Sequence, residues 1–214
     1  MWDAAELELR GWTRIANVGS SDDVLALASR LGTPLPSANG DLMKKLSVVP
    51  TEEGAPSSLS AQFGTGAFPL HTDTAFWSRP ARYLLMRVDG DKRRPTTILT
   101  FRRVLDGCSE RVKQLIGTTS WKLRTPSINT YCSMQFRLEN TVGWRYDRQC
   151  MSPANRAARE VDEAIQAAFA TLRPEEIDWS ESGLIVVSNW AALHGRGSGP
   201  IDEGERILER LYVG

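Results

Sequence analysis

The chain has 214 residues, of which 41% are hydrophobic and 24% charged, a balance that excludes the disordered and fibrous classes and predicts a single domain spanning 1–214. Its 26 basic and 26 acidic residues cancel, so no overall field draws it to nucleic acid or to an anionic membrane, and a charged partner has to be recognised locally. The opening MWDAAELELRGW has neither the basic nor the apolar region of a secretory leader, and no run reaches the roughly 18 apolar residues of a membrane helix, which predicts a soluble cytoplasmic protein.

Along the chain, Ser20-Ser21-Asp22-Asp23 supplies capping and acidic residues ahead of the stripe Val24, Leu27, Ala28 and Leu31, with Gly32 and Pro34 to stop the helix. Short segments rich in β-branched or aromatic residues at 46–49, 83–88 and 97–101 read as strands. A second helix is expected over 104–116, with Val104, Cys108, Val112 and Leu115 on one stripe and Gly117 behind. The stretch 125–140 has mixed polarity and no period, as an irregular lid over a site would. A strand at 142–146 follows. A third helix opens at Ser152-Pro153 and carries Val161, Ile165, Ala168, Phe169 and Leu172 before Pro174. Strands at 184–187 and 207–213 complete the set. Many short strands with a few outlying helices predict a mainly β fold, a barrel or jelly-roll sandwich flanked by helices rather than a parallel α/β sheet.

Cys108, Cys132 and Cys150 are odd in number and form no C-x-x-C pair, against both a disulfide framework and a thiolate zinc site. Lys92-Arg93-Arg94 and Arg102-Arg103 bracket a strand, either as a phosphate-binding patch or as a solvated rim.

The chain has two histidines. His71-Thr72-Asp73 lies in an extended segment, where residues two apart point to the same side, so His71 and Asp73 can share one ion. A distant second imidazole would complete one triangular face, the 2-His-1-carboxylate pattern that leaves three positions open on non-haem iron. An H-x-D alone is weak evidence, since a lone histidine is commonly a surface or satisfied core residue. His194 adds to it: the apolar run LIVVSNW (184–190) precedes it, and His194-Gly195-Arg196-Gly197 then opens a turn, so the imidazole sits at the end of a core strand. Beyond that turn, alternation puts Arg206, Leu208, Arg210 and Tyr212 on one face and Ile207, Leu211 and Val213 on the other. Periodicity favours burying the aliphatic face with both arginines in water; the alternative turns Arg206 inward as a forked clamp for a carboxylate.

FPLHTD (68–73), Pro95-Thr96-Thr97, Leu193-His194-Gly195-Arg196 and then Arg206 together resemble the taurine dioxygenase and clavaminate synthase group of Fe(II)/2-oxoglutarate-dependent oxygenases, from about Gly64 to the end of the chain. The resemblance implies a double-stranded β-helix, a distorted jelly roll with the metal at one open end. It implies that His71, Asp73 and His194 bind Fe(II), that Arg206 pairs with the distal carboxylate of 2-oxoglutarate with the Thr97 hydroxyl in support, and that Arg210 meets an acidic group of the substrate or serves as an ion-pair partner. O2 is the second co-substrate, succinate and CO2 are released, and no protein acid or base is required. Halogenating members replace the metal carboxylate by a small residue, whereas Asp73 is kept here, which favours hydroxylation of an unactivated C–H bond. A small anionic or amino-acid-like substrate is expected, with Trp77, Arg79 and Arg82, or Trp144-Arg145-Tyr146-Asp147, along its approach or packed structurally. Two alternatives remain at this point: a nucleic-acid or protein demethylase of the same superfamily, suggested by the arginine clusters, and a non-catalytic metal-binding jelly-roll module.

Overall fold

The computed structural model describes residues 3–37, 39–54, 58–138, 140–181, 183–200 and 204–214. The first two residues of the opening segment and position 139 of the expected lid lie outside them.

The elements in chain order are α1 (Ala4–Arg10), β1 (Trp12–Ile15), α2 (Ser21–Leu31), β2 (Pro34–Leu35), β3 (Met43–Ser47), a 3-10 turn (Thr51–Glu53), α3 (Leu59–Phe63), β4 (Phe68–His71), β5 (Tyr83–Gly90) and β6 (Thr96–Thr100). They continue with α4 (Phe101–Asp106), α5 (Glu110–Ile116), β7 (Trp121–Arg124), β8 (Asn129–Cys132), β9 (Gln135–Leu138), β10 (Thr141–Trp144), β11 (Met151–Pro153), α6 (Arg156–Thr171), β12 (Glu175–Ile177), β13 (Leu184–Ser188), β14 (Ala192–Arg196) and β15 (Arg206–Val213).

Two antiparallel sheets face each other. The larger runs β1-β13-β5-β15-β2 with β3 also on β15, and the smaller runs β12-β6-β14-β4. Met86, Ile98, Trp179, Ile185 and Val187 fill the space between them. Alternate residues of the larger sheet, Leu85, Val186 and Leu211, point the other way and are covered by Leu7 of α1 and by Val24 and Ala28 of α2. Burial on both faces explains why 184–187 is an unbroken aliphatic run rather than an alternating one. The outer face of the smaller sheet, at Leu99 and Leu193, carries α4 to α6 and the strands β7 and β11 through Trp121, Val161 and Ile165. The result is the expected mainly β, distorted jelly roll with flanking helices.

The first expected helix is α2, opened by a capping box in which Ser20 and Asp23 satisfy each other's main-chain N–H. The second is two helices. Gly107 ends α4, and the Ser109 hydroxyl accepts from the Val112 N–H to start α5. The third starts later than Ser152-Pro153, because β11 there pairs with β7; Asn155 is the cap, accepting from the Ala158 N–H at 2.8 Å. The stretch expected to be an irregular lid instead forms β8, which pairs with β7, and β9, which pairs with β10. No helix among the described residues is long and apolar enough to cross a membrane.

Candidate metal centre

His71 is the last residue of β4, and its Cα partner across the β4–β14 pair is His194. Antiparallel partners project to the same face, which brings the two rings to a 4.5 Å centroid separation across 123 positions of sequence. Asp73 follows two residues on. Its carboxylate oxygens lie 3.7 Å from His71 Nε2 and 3.6 Å from His194 Nε2. The three ligand atoms fall within 4.8 Å of one another, and all three residues are buried. A shift of register on β14 between His194 and Arg196 forms a bulge beside the site. Gly195 fits there because a Cβ would meet Phe68 O and Thr97 Oγ1, each at 2.8 Å.

Partners behind the ligands fix their direction. His71 Nδ1 lies 2.9 Å from Pro69 O; donation to that carbonyl leaves Nε2 as the lone-pair nitrogen turned to Asp73. The side chain of Asn189 accepts from the Asp73 N–H at 2.9 Å and donates to Asp73 O at 2.9 Å and Ala81 O at 2.8 Å. Thr72, between the two ligands, donates its N–H to Tyr146 O at 2.8 Å, and its hydroxyl accepts from the Tyr146 N–H at 3.0 Å. Thr74, just past the carboxylate, holds φ at 56°, unfavourable for a β-branched residue. Its hydroxyl offsets the strain by donating to Asp73 O and accepting from the Ala81 N–H.

Burial alone would push the Asp73 carboxyl up, but the Arg210 charge and hydrogen bonds with the two imidazoles overrule it and hold Asp73 well below the usual carboxylate range. Burial lowers His194, as does the charge of His71; His71, despite the same burial, is raised by its contact with Asp73. An ionised carboxylate between two imidazoles is the donor set of a divalent transition ion with open coordination positions, and no thiolate belongs to the cluster.

Two cavities meet at this face. The smaller, of about 100 Å³, is lined by His71, His194, Thr96, Met86, Leu208 and Arg206. The larger, of about 460 Å³, is lined by His71, Asp73, Trp77, Asp147, Arg210 and Tyr212, with Lys44 at one side.

The face of β15 that carries Arg206, Leu208 and Arg210 therefore looks inward, not to water, and Arg206 is only 5% exposed. Arg210 is an ion-pair partner of the centre: its Nη1 donates to both oxygens of Asp73, at 2.9 and 3.2 Å. Trp77 does border the larger cavity, where it meets Tyr212 edge to face. Thr97 is not brought to the site. It pairs with Gly195 while Ile98 pairs with His194, so Thr97 faces away and its neighbour Thr96 lines the smaller cavity. Arg82 is also elsewhere; its guanidinium lies over the Tyr83 and Trp190 rings, because its N–H and carbonyl are tied to Val213 and Asn189 at the start of β5. Within the arginine clusters, Arg94 is buried and donates to Gly197 O, Arg93 pairs with Asp91, and Arg103 donates to Arg173 O. Asn189 carries no functional signal in the sequence; Thr96 stands in the motif beside the expected Thr97, and Asp147 belongs to the Trp144-Arg145-Tyr146-Asp147 group expected along the approach.

Comparison with protein-family models and with curated proteins finds no match. Solved structures do match. Asparagine oxygenase (AsnO) superposes with a TM-score of 0.73 at 20% identity, over 98% of this chain and 76% of that one. In its complex with Fe(II), 2S,3S-3-hydroxyasparagine and succinate, the values are 0.70 and 21%, over 89% of this chain and 63% of that one. The non-heme iron oxygenase OrfP, in complex with Fe, succinate and (3S)-hydroxy-L-Arg, gives 0.70 at 18%, over 90% and 64%. PvcB, an Fe, alpha-ketoglutarate dependent oxygenase from an isonitrile synthetic pathway, gives 0.68 at 13%, over 98% and 77%. The chain spans less than two thirds of the length of the second and third of these. At such identities the likeness is one of fold: this chain has the double-stranded β-helix of these oxygenases, with a buried His-Asp-His set.

Proposed function

We propose that the protein is a non-haem Fe(II) oxygenase that consumes O2 and 2-oxoglutarate and hydroxylates an unactivated C–H bond of a small, amino-acid-like molecule. The observation that carries this is the convergence of His71, Asp73 and His194 where a small cavity containing Arg206 meets a larger one.

In this reading the three residues hold the iron through two Nε2 atoms and the Asp73 carboxylate. Arg206, buried at the wall of the smaller cavity, receives the distal carboxylate of 2-oxoglutarate through paired, charge-assisted hydrogen bonds. Thr96, not Thr97, is the hydroxyl beside it. Iron with bound 2-oxoglutarate supplies the oxidising chemistry, with release of succinate and CO2. The chain itself binds, orients and excludes water, which is where a protein contributes when a cofactor carries the reaction. Arg210 holds Asp73 in one orientation. The larger cavity presents Lys44 and Arg210 on paired strands and Asp147 elsewhere on its wall, so charges of both signs face its contents. That supports a zwitterionic substrate, in keeping with the hydroxylated amino acids bound to AsnO and OrfP.

The test is anaerobic addition of Fe(II) and 2-oxoglutarate, followed by the visible charge-transfer band of the chelate. The band should form in the folded protein, disappear in His71→Ala and in His194→Ala, and require about tenfold or more 2-oxoglutarate in Arg206→Ala, as expected for loss of a charged hydrogen bond. No band in folded, metal-replete protein overturns the assignment.

A further inference from the structure

Arg145 follows β10 and is only 6% exposed. Its Nη1 donates to Ala75 O at 3.1 Å and Trp77 O at 2.9 Å, and its Nη2 to Ser78 O at 3.2 Å. The Phe136 ring lies 4.8 Å from the guanidinium. All of these are neutral partners. No carboxylate among the described residues pairs with it, and its buried Nε makes no hydrogen bond. Burial accordingly pushes the Arg145 guanidinium below its ordinary value. A buried cation normally has a counter-charge, since taking an unpaired charge out of water is strongly unfavourable. Arg210, half-buried beside the centre, follows that rule through Asp73.

Arg145 also lines a cleft of about 710 Å³ that is distinct from the two cavities at the metal centre. Its walls combine Phe76, Trp77, Ile128, Tyr131 and Phe136 with hydroxyl and amide groups of β8 and β9. Tyr131 is 64% exposed and Phe76 38%, large aromatic surface left open at the cleft. Arg137 adds a second positive charge at the wall, and among the described residues no acidic one lines the cleft.

We propose that this cleft is a binding site for a small monocarboxylic acid with an aromatic or aliphatic body, whose carboxylate supplies the counter-charge to Arg145. The body lies against the aromatic walls and the carboxylate turns to the guanidinium, which still has donors to give once its three carbonyl bonds are made. The site touches the oxygenase centre through one segment. The carbonyls that Arg145 holds belong to residues just after Asp73, and Phe76 and Trp77 border both this cleft and the larger cavity. A carboxylate that draws on Arg145 bears directly on how firmly Trp77 is held, so occupancy of the cleft and of the substrate cavity are coupled.

The experiment uses the full chain and three acids, phenylacetate, benzoate and hexanoate, each against its neutral carboxamide, followed by tryptophan fluorescence and by thermal melting. At least one acid should bind saturably and its amide about tenfold more weakly or worse, the fold-change of one charge-assisted hydrogen bond. Arg145→Gln should remove the preference for the acid. Arg206→Gln should leave it intact, which separates this site from a carboxylate entering the smaller cavity. If Arg145→Gln does not fold, Ser133→Trp, which fills the cleft from an exposed position, should abolish binding with Arg145 in place. Absence of saturable binding by all three acids, equal affinity for acid and amide, or loss of binding in Arg206→Gln but in neither cleft variant overturns the proposal.

Discussion

Asn189 and Arg210 act on the same residue from opposite ends. The Asn189 amide takes up both main-chain groups of Asp73, while Arg210 takes its carboxylate. Asn189→Ala removes three hydrogen bonds and strands buried main-chain groups, so it should cost about 1–3 kcal/mol by denaturant unfolding and loosen metal binding with it. Arg210→Met separates the two roles. Without metal, Asp73 is left as a buried charge that has lost its principal partner, and the melting temperature should fall by the equivalent of about 3 kcal/mol. With a divalent ion such as Ni(II), the carboxylate regains a cation and no longer shares itself with a guanidinium, so the metal-induced rise in melting temperature should exceed that of the parent protein. A rise that is smaller, or a metal-free protein as stable as the parent, would mean that Arg210 does not neutralise Asp73.

At the scale of elements, what could be read in advance follows from how each segment is buried. The strands β5, β13 and β15 were legible because their aliphatic residues are buried on one or both faces, and the H-x-D with its distant histidine was legible because coordination demands particular side chains at particular spacing. Strand β8, whose residues are mostly exposed, carries no such pattern, and α4 and α5 share one apolar stripe that hides the break at Gly107. Asn189 had no signal at all, since an amide that caps main-chain groups looks like any turn residue. The Thr96 and Thr97 pair shows the limit most clearly, because period two makes a one-residue slip a change of face. The β6–β14 register puts Thr96 on the His194 side. Thr96→Val should therefore raise the 2-oxoglutarate concentration for half-maximal chelate band several-fold, and cost about 1 kcal/mol by unpairing Trp179 Nε1, its partner at 3.1 Å. Thr97→Val should leave the band's concentration dependence unchanged. The opposite result would put the other face of β6 toward the co-substrate.

For the whole molecule, the centre is a tie between parts of the smaller sheet and the loop that follows it, with His71 and Asp73 on one side and His194 on the other. The two imidazoles and the carboxylate meet only when β4, β14 and the Asn189 turn are assembled, so the unfolded chain has no such site and metal binding adds to folding stability. At an ion concentration a thousand times the dissociation constant, that contribution is about 4 kcal/mol, which for a chain of this size corresponds to a rise of roughly 10 °C in melting temperature. The rise should depend on the logarithm of ion concentration and vanish in His194→Ala and in Asp73→Ala alike, because each removes one corner of the same face. Asp73→Ala also relieves Arg210 of its partner, so its metal-free melting temperature should fall as that of Arg210→Met does, whereas His194→Ala leaves the Asp73–Arg210 pair intact and should lose the metal effect with a smaller change in the metal-free protein. Calorimetry of the three variants, with and without Ni(II), separates ligand loss from loss of the ion pair. An undiminished metal effect in His194→Ala would place the ion elsewhere in the molecule.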